Sequence, residues 1–210
     1  VARQNPQDYI DGLVDTITGA ISQAKAADSN FNVEKVVGIG VDTTGSTVIP
    51  VDASGTPLAL DKKFQGNLNA HVWLWKDHTA HAEAAAITEK AAELRPEYLA
   101  KCGGTYSSEW WWSKIWRLQK IDPEVFVAAH SFVEHCDYIP ALLTGNTDPG
   151  ALKRGVCSAG HKAMYNAGWG GLPDKEFLTK LDPALADLRD RLFDVAVPAN
   201  QLAGGLTEKW

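Results

Sequence analysis

The sequence predicts an α/β fold on three observations. An amphipathic helix pattern beginning at Asn5 runs into a β-branched stretch at Val36–Val41, giving helix then strand, half of a crossover unit. That stretch combines Val36, Val37, Ile39 and Val41 with two glycines, the composition of a buried strand. It then stops in small polar residues, Asp42-Thr43-Thr44-Gly45-Ser46-Thr47, which is how a core strand of an α/β protein commonly presents a ligand site.

Each element follows from local chemistry. Asn5 is placed to cap the first helix, with Pro6 at its first position and Asp8 in its first turn. Ile10, Leu13, Val14, Ile17, Ile21 and Ala24 share one face, so this helix must lie on something apolar, and the Lys35–Val41 strand is the expected floor. No strand is expected before it. Val48, Ile49 and Val51 resume strand character, and Asp52-Ala53-Ser54-Gly55 turns the chain toward Thr56–Leu60 in a hairpin. Lys62–Ala70 reads as loop and His71–Trp75 as a short extended piece. Asp77 or Thr79 is the expected cap of a helix whose Ala84, Ile87, Ala91 and Leu94 make a small-residue face that sits close to its neighbour.

Pro96 opens a helical turn that Gly103-Gly104 ends, and Ser107 or Ser108 starts an aromatic helix. In that helix Trp111, Ile115 and Leu118 share a face, with Trp112 and Trp116 on the adjoining one. Three consecutive tryptophans cannot all serve one core face, so at least one is expected to line a cavity or an interface. Asp122-Pro123 opens a helix to about Ala129, Phe132-Val133 reads as a short strand, and Cys136–Leu143 as a helix stopped by Thr144-Gly145. Between Asn146 and Gly171 periodicity nearly vanishes, which predicts a long ordered loop holding one helical turn. Pro173–Leu181 and Pro183–Phe193 read as short helices, and Val195–Gly205 as extended and turn-like.

The totals bound the function. The 210 residues are 45% hydrophobic, enough for one sizeable core, with no repeat or linker to divide them. A net charge of −6, with no Lys/Arg run longer than Lys62-Lys63, excludes nucleic acid or an anionic membrane as principal partner. No apolar run reaches membrane-spanning length, and the cytoplasm is the expected location. Cys102, Cys136 and Cys157 match no zinc or redox spacing and read as thiols in a reducing compartment.

Several residues carry candidate chemistry, each with a plainer reading beside it. Asp42 can bind a hydroxyl, hold a metal, or cap nearby backbone N–H groups. The hydroxyls of Thr43, Thr44, Ser46 and Thr47 suit a polyhydroxylated ligand and equally suit a tight turn. Trp75-Lys76-Asp77-His78 sets a flat ring, a cation and an anion together at a helix entry, fitting the C–H face and vicinal hydroxyls of a sugar. His78 and His81 lie within reach of Asp77 for a metal, but the glutamate of the His-Glu-x-x-His pattern is absent, and solvent-exposed histidines are the plainer reading. Lys162 stands in the glycine-bordered aperiodic region, where packing alone does not explain a fixed lysine. There is no G-x-x-x-x-G-K-[ST] phosphate loop and no G-x-S-x-G nucleophile elbow.

Read together and in order, GIGVDTTGST, LWKDHTA, GGTYSSEWWWSK, CDYIPALLTG, RGVCSAGHKAMY and WGGLP resemble the FGGY carbohydrate kinases, specifically the ribulokinase type with its Gly-His-Lys loop. The likeness runs from about Gln4 to Trp210. It implies that residues 1–210 are part of an N-terminal carbohydrate-binding domain of the actin and hexokinase-like (ribonuclease H-like) class, with the first strands missing. It further implies a sugar site at Thr44, Gly45, Ser46, Trp75, Lys76, Asp77, Tyr106, Trp110 and Lys162. The implied activity is ATP-dependent phosphorylation of L-ribulose to L-ribulose 5-phosphate, in L-arabinose use, by the full-length protein with ATP and Mg²⁺. Another pentulose or pentitol such as xylulose or ribitol, or a non-catalytic sugar-binding module, are the alternatives. The family's phosphate hairpin is expected before Val1 and its catalytic Asp after Trp210. No catalytic residue, no bound cofactor and no kinase activity are therefore expected of this chain alone, and an unpaired edge leaves room for a homodimer.

Overall fold

The computed structural model describes all 210 residues, Val1–Trp210. At its centre is a four-stranded antiparallel sheet in the order β1-β3-β2-β4, built from β1 (Arg3–Gln4), β2 (Val48–Val51), β3 (Val72–Trp73) and β4 (Ser131–Glu134). β2 and β4 make the longest ladder, from Val48 opposite Glu134 to Val51 opposite Ser131. Alternation along these strands splits the core in two. Val48, Trp73 and Phe132 join one apolar cluster, while Ile49, Val51, Val72 and Val133 join another.

The helices pack around this sheet: α1 (Pro6–Ala27), α2 (His81–Leu94), α3 (Pro96–Ala100), α4 (Trp111–Ile121), α5 (Pro123–Ala128), α6 (His135–Thr144), α7 (Val156–Lys162), α8 (Lys175–Leu181) and α9 (Pro183–Arg189). The Trp-rich α4 lies in the larger cluster, with Trp111, Trp112, Ile115, Trp116 and Leu118 all buried. α6 closes the smaller cluster through Tyr138, Ile139, Ala141 and Leu143, and ends at Gly145 in the left-handed conformation that glycine adopts without strain. Asn5, Asp122, Asp174 and Asp182 cap α1, α5, α8 and α9 with their side chains. The Asp52 turn forms, Asp52 Oδ1 accepting from Ser54 N, Ser54 Oγ and Thr56 N, but the expected hairpin does not, since Leu58–Leu60 coils into a 3₁₀ turn after a single bridge from Val51 to Pro57. Gly55, at φ +80°, is required there, because a side chain would strike Thr147 O.

Three expectations are corrected. Val36–Val41 forms no strand, and Val37 is 99% exposed. β-branched composition favours an extended backbone, but a strand also needs a ladder partner, and Val36–Val41 pairs with none of the four strands. With that floor absent, the apolar face of α1 is only half covered: Pro6 alone is buried, while Tyr9 and Leu13 pack with Val41 against the smaller cluster. Conversely, a strand does precede the first helix. β1 is held by its side chains, with Arg3 stacked 3.3 Å above the Trp73 ring and paired to Asp77, and the Ala2 N–H donating to Asp77 Oδ2 at 2.6 Å. One smaller difference concerns α2, whose N-terminal cap is Ala80 without a side-chain bond, since Asp77 turns back to Thr79 instead.

Candidate functional site

The polar bend that precedes β2 meets the end of α7. Gly45 faces Lys162 so closely that a methyl on Gly45 would stand 3.5 Å from Lys162 Cε. Beyond Gly45, Ser46 adopts φ +67°, a left-handed conformation unusual for a side-chain-bearing residue, and is 1% exposed. Its carbonyl accepts from Lys114 Nζ at 2.5 Å, and the same ammonium donates to Leu74 O at 2.7 Å. One buried lysine therefore ties the bend to the segment that carries Trp75. Thr44 stays exposed, its hydroxyl 2.9 Å from Thr47 Oγ1.

An aromatic wall stands on the α7 side. Tyr106 is buried and its hydroxyl donates to Lys162 O at 2.5 Å while accepting the Trp112 N–H at 3.0 Å, so it fixes the end of α7 against the start of α4. Burial pushes the Tyr106 phenol well above its ordinary value. Trp110 packs edge-on against both Tyr106 and His161, with ring centroids 5.2 and 5.0 Å apart, and Lys162 Nζ lies 5.3 Å from its ring. Of the three consecutive tryptophans Trp110 alone is not fully buried, though it packs against the larger cluster. Lys162 enters no ion pair, and its charge joins burial in lowering the His161 imidazole.

The structure thus brings together Thr44, Gly45, Ser46, Tyr106, Trp110 and Lys162. Trp75 is 46% exposed on the neighbouring segment and Lys76 is exposed beside it. Asp77 is different. It is 1% exposed, with Oδ2 taken by Arg3 and the Ala2 N–H, and Oδ1 by the N–H and hydroxyl of Thr79. Burial raises a carboxyl, but the bonds from Thr79 and Ala2 and the Arg3 charge outweigh it and hold Asp77 at about 2. This acid is a strut between the strands rather than an open ligand. Asp42 is exposed and bonded to no neighbour. A cleft of about 380 Å³ opens elsewhere, lined by Trp169, Asp174, Lys175, Arg189 and Asp194, and holds none of the predicted site residues.

Two buried groups at the site escaped the sequence reading. Lys114 is 1% exposed in the middle of the Trp-rich helix, and burial lowers it to about 8 despite the opposing charges of Glu134, Asp77 and Glu109. Glu134 closes β4 and accepts the Thr47 N–H at 2.9 Å; burial and Asp137 raise it to about 7 against the charges of Lys114 and Lys162. The signal for Glu134 was present: an acid directly after a core strand, the same logic applied to Asp42.

No family model matches the chain. Curated relatives do. The ribulokinase of Vibrio parahaemolyticus is 46% identical over 209 residues, covering 99% of this chain and 36% of that protein. Those of Shouchella clausii and Bacillus licheniformis are 39% and 34% identical, covering 98% and 99% of this chain and 35% and 36% of theirs. This chain is homologous to the ribulokinases. It spans about a third of the length of the relatives it matches. Among solved structures it resembles a xyloylose kinase from Brucella ovis, with a TM-score of 0.66 at 17% identity over 99% of this chain and 37% of that one. A xylulose kinase from Bifidobacterium adolescentis follows with a TM-score of 0.55 at 13% identity over 72% and 33%. At such identities the likeness is one of fold, and the α/β fold of this chain resembles that of these two kinases. No helix is long and apolar enough to cross a membrane.

Proposed function

We propose that these 210 residues are the sugar-gripping part of an ATP-dependent, cytoplasmic FGGY-type kinase, and that the sugar is L-ribulose, phosphorylated to L-ribulose 5-phosphate in L-arabinose catabolism. The observation that carries this reading is the approach of Gly45 to Lys162 beside the Trp110 ring. Glycine leaves room for a ligand against the lysine, the unpaired ammonium donates to sugar oxygens, and the flat ring suits the C–H face of a pentulose. The homology to ribulokinases supports the choice of sugar.

ATP and Mg²⁺ belong to the reaction of the whole enzyme. The side chains here do not suit a metal–nucleotide complex: no group of three or more His, Cys, Asp and Glu gathers to hold an ion. The chain's own residues are therefore assigned to holding and orienting the sugar, with phosphate binding and proton removal from the attacking hydroxyl carried elsewhere in the enzyme.

Calorimetry with L-ribulose, D-xylulose and ribitol tests the assignment. L-ribulose is expected to bind tightest, and Lys162→Ala to weaken it by about tenfold or more, the effect of losing a hydrogen bond to a charged group. Preference for D-xylulose or ribitol would move the assignment to another pentulose or to a pentitol. Failure of all three to bind, or an unchanged affinity in Lys162→Ala, would overturn it.

A further inference from the structure

Glu134 is 3% exposed, and only half of its carboxylate is accounted for. Oε2 accepts the Thr47 N–H, whereas Oε1 is buried without a partner. Such an atom is expensive to bury and calls for an explanation. Two hydroxyls on the bend share its condition, Thr43 Oγ1 and Ser46 Oγ. Ser46 is 1% exposed. The bend is bonded to Glu134 through Thr47 and meets Lys162 at Gly45, and the charges of Lys114 and Lys162 both reach Glu134. The corner offers a fixed acceptor, hydroxyls that give and take, and a free ammonium, a set complementary to neighbouring sugar hydroxyls.

Resting on the sugar-kinase reading above, we propose that Glu134 is a sugar-contacting, specificity-determining residue, whose free Oε1 accepts a hydrogen bond from one hydroxyl of the pentulose while Ser46 Oγ and Thr43 Oγ1 complete the polar floor. Glu134 binds and orients; it moves no proton to or from the reacting oxygen. A site built to bond a hydroxyl rejects the analogue lacking it, because its own polar atom is then left unpaired. Around Glu134 stand Lys114 and Tyr106 from α4 and its approach, Asp137 and Cys136 from α6, Arg154 from the preceding loop and Lys162 from α7. Because burial and Asp137 raise Glu134 to about 7, the carboxylate acceptor is present above that value and becomes a carboxylic acid below it. Sugar affinity should therefore rise as pH passes upward through about 7.

The test is calorimetric affinity for L-ribulose and its monodeoxy analogues, for wild type and Glu134→Gln, on both sides of that pH. Glutamine keeps an oxygen for the Thr47 N–H and removes the second acceptor. The expected result is a loss of about tenfold to a hundredfold for L-ribulose, no further loss for the one analogue that lacks the gripped hydroxyl, and a flat pH profile in the variant. If wild type binds no sugar, the kinase reading fails and takes this assignment with it. If wild type binds but Glu134→Gln weakens every analogue in the same ratio, or leaves affinity and pH profile unchanged, the Glu134 assignment is overturned and the kinase reading stands. If near-ultraviolet circular dichroism shows Glu134→Gln misfolded, Ser46→Ala and the wild-type pH profile decide. Weaker binding and affinity rising with pH support the assignment; unchanged affinity or a flat profile sinks it.

Discussion

Lys114 is buried beneath Ser46, its ammonium 2.5 Å from the carbonyl of a residue whose φ of +67° serine seldom adopts. The same ammonium reaches Leu74 O, so two segments of the site share one anchor.

Lys114→Met should accordingly strip a buried and a partly buried carbonyl of their donor and leave Glu134 with less opposing charge. The expected cost is about 2–4 kcal/mol. Thermal unfolding should show the midpoint falling by roughly 5–15 °C for a chain of this size; a shift of a degree or less would mean that the anchor is dispensable.

Ser46→Gly should act in the opposite direction on stability. Glycine adopts the left-handed conformation freely, which relieves about 1 kcal/mol of backbone strain. The variant should melt higher and bind L-ribulose more weakly, since the Ser46 hydroxyl is lost from the floor of the site. Denaturant titration alongside calorimetry would reveal both, and a variant that is less stable would contradict the strain.

Asp77→Asn should be a stability mutant first. The Asp77 carboxyl, held at about 2 rather than its ordinary 3.8, contributes stability that is present above the ordinary value and lost as pH falls through the folded one. That shift corresponds to about 2 kcal/mol at neutral pH, and Arg3 would be left buried without its anion. Acid unfolding of wild type should steepen between about 4 and 2, and the variant should lack this component. An identical acid limb in both proteins would remove Asp77 from the account.

Val37→Asp addresses the apolar stretch that finds no strand partner. With Val36, Val37 and Ile39 exposed at 53%, 99% and 47%, wild type should self-associate with rising concentration. Light scattering behind size exclusion should show the variant remaining monomeric where wild type does not. Equal behaviour of the two would mean that another surface governs association.

The contrast between that stretch and its neighbours explains what the sequence could reveal. Caps, prolines and glycine stops are local signals, and Asn5-Pro6, Asp122-Pro123 and Thr144-Gly145 bound helices as their chemistry requires. The run of Val48, Ile49 and Val51 and that of Val36, Val37, Ile39 and Val41 look alike in one dimension, yet only the first has β4 to pair with, and pairing is a property of the fold. Trp110 and Lys162 stood out because ring and lysine were each hard to explain by packing, whereas Gly45 was marked only by the family resemblance. Asp77 was misjudged for the converse reason: an acid beside a tryptophan and a lysine suggested a ligand, while its partner Arg3 lay 74 residues away. Lys114 was hidden by its setting, since nothing in an aromatic helix marks which polar residue will be buried among backbone carbonyls.

Amide chemical-shift mapping with L-ribulose tests the location of the sugar most directly. The account predicts concentration-dependent shifts at Thr44, Gly45, Ser46 and Thr47, at the Trp110 indole and at His161 and Lys162, with the Asp174, Arg189 and Asp194 cleft unmoved. Shifts confined to that cleft, or none at saturating sugar with the chain folded, would contradict it.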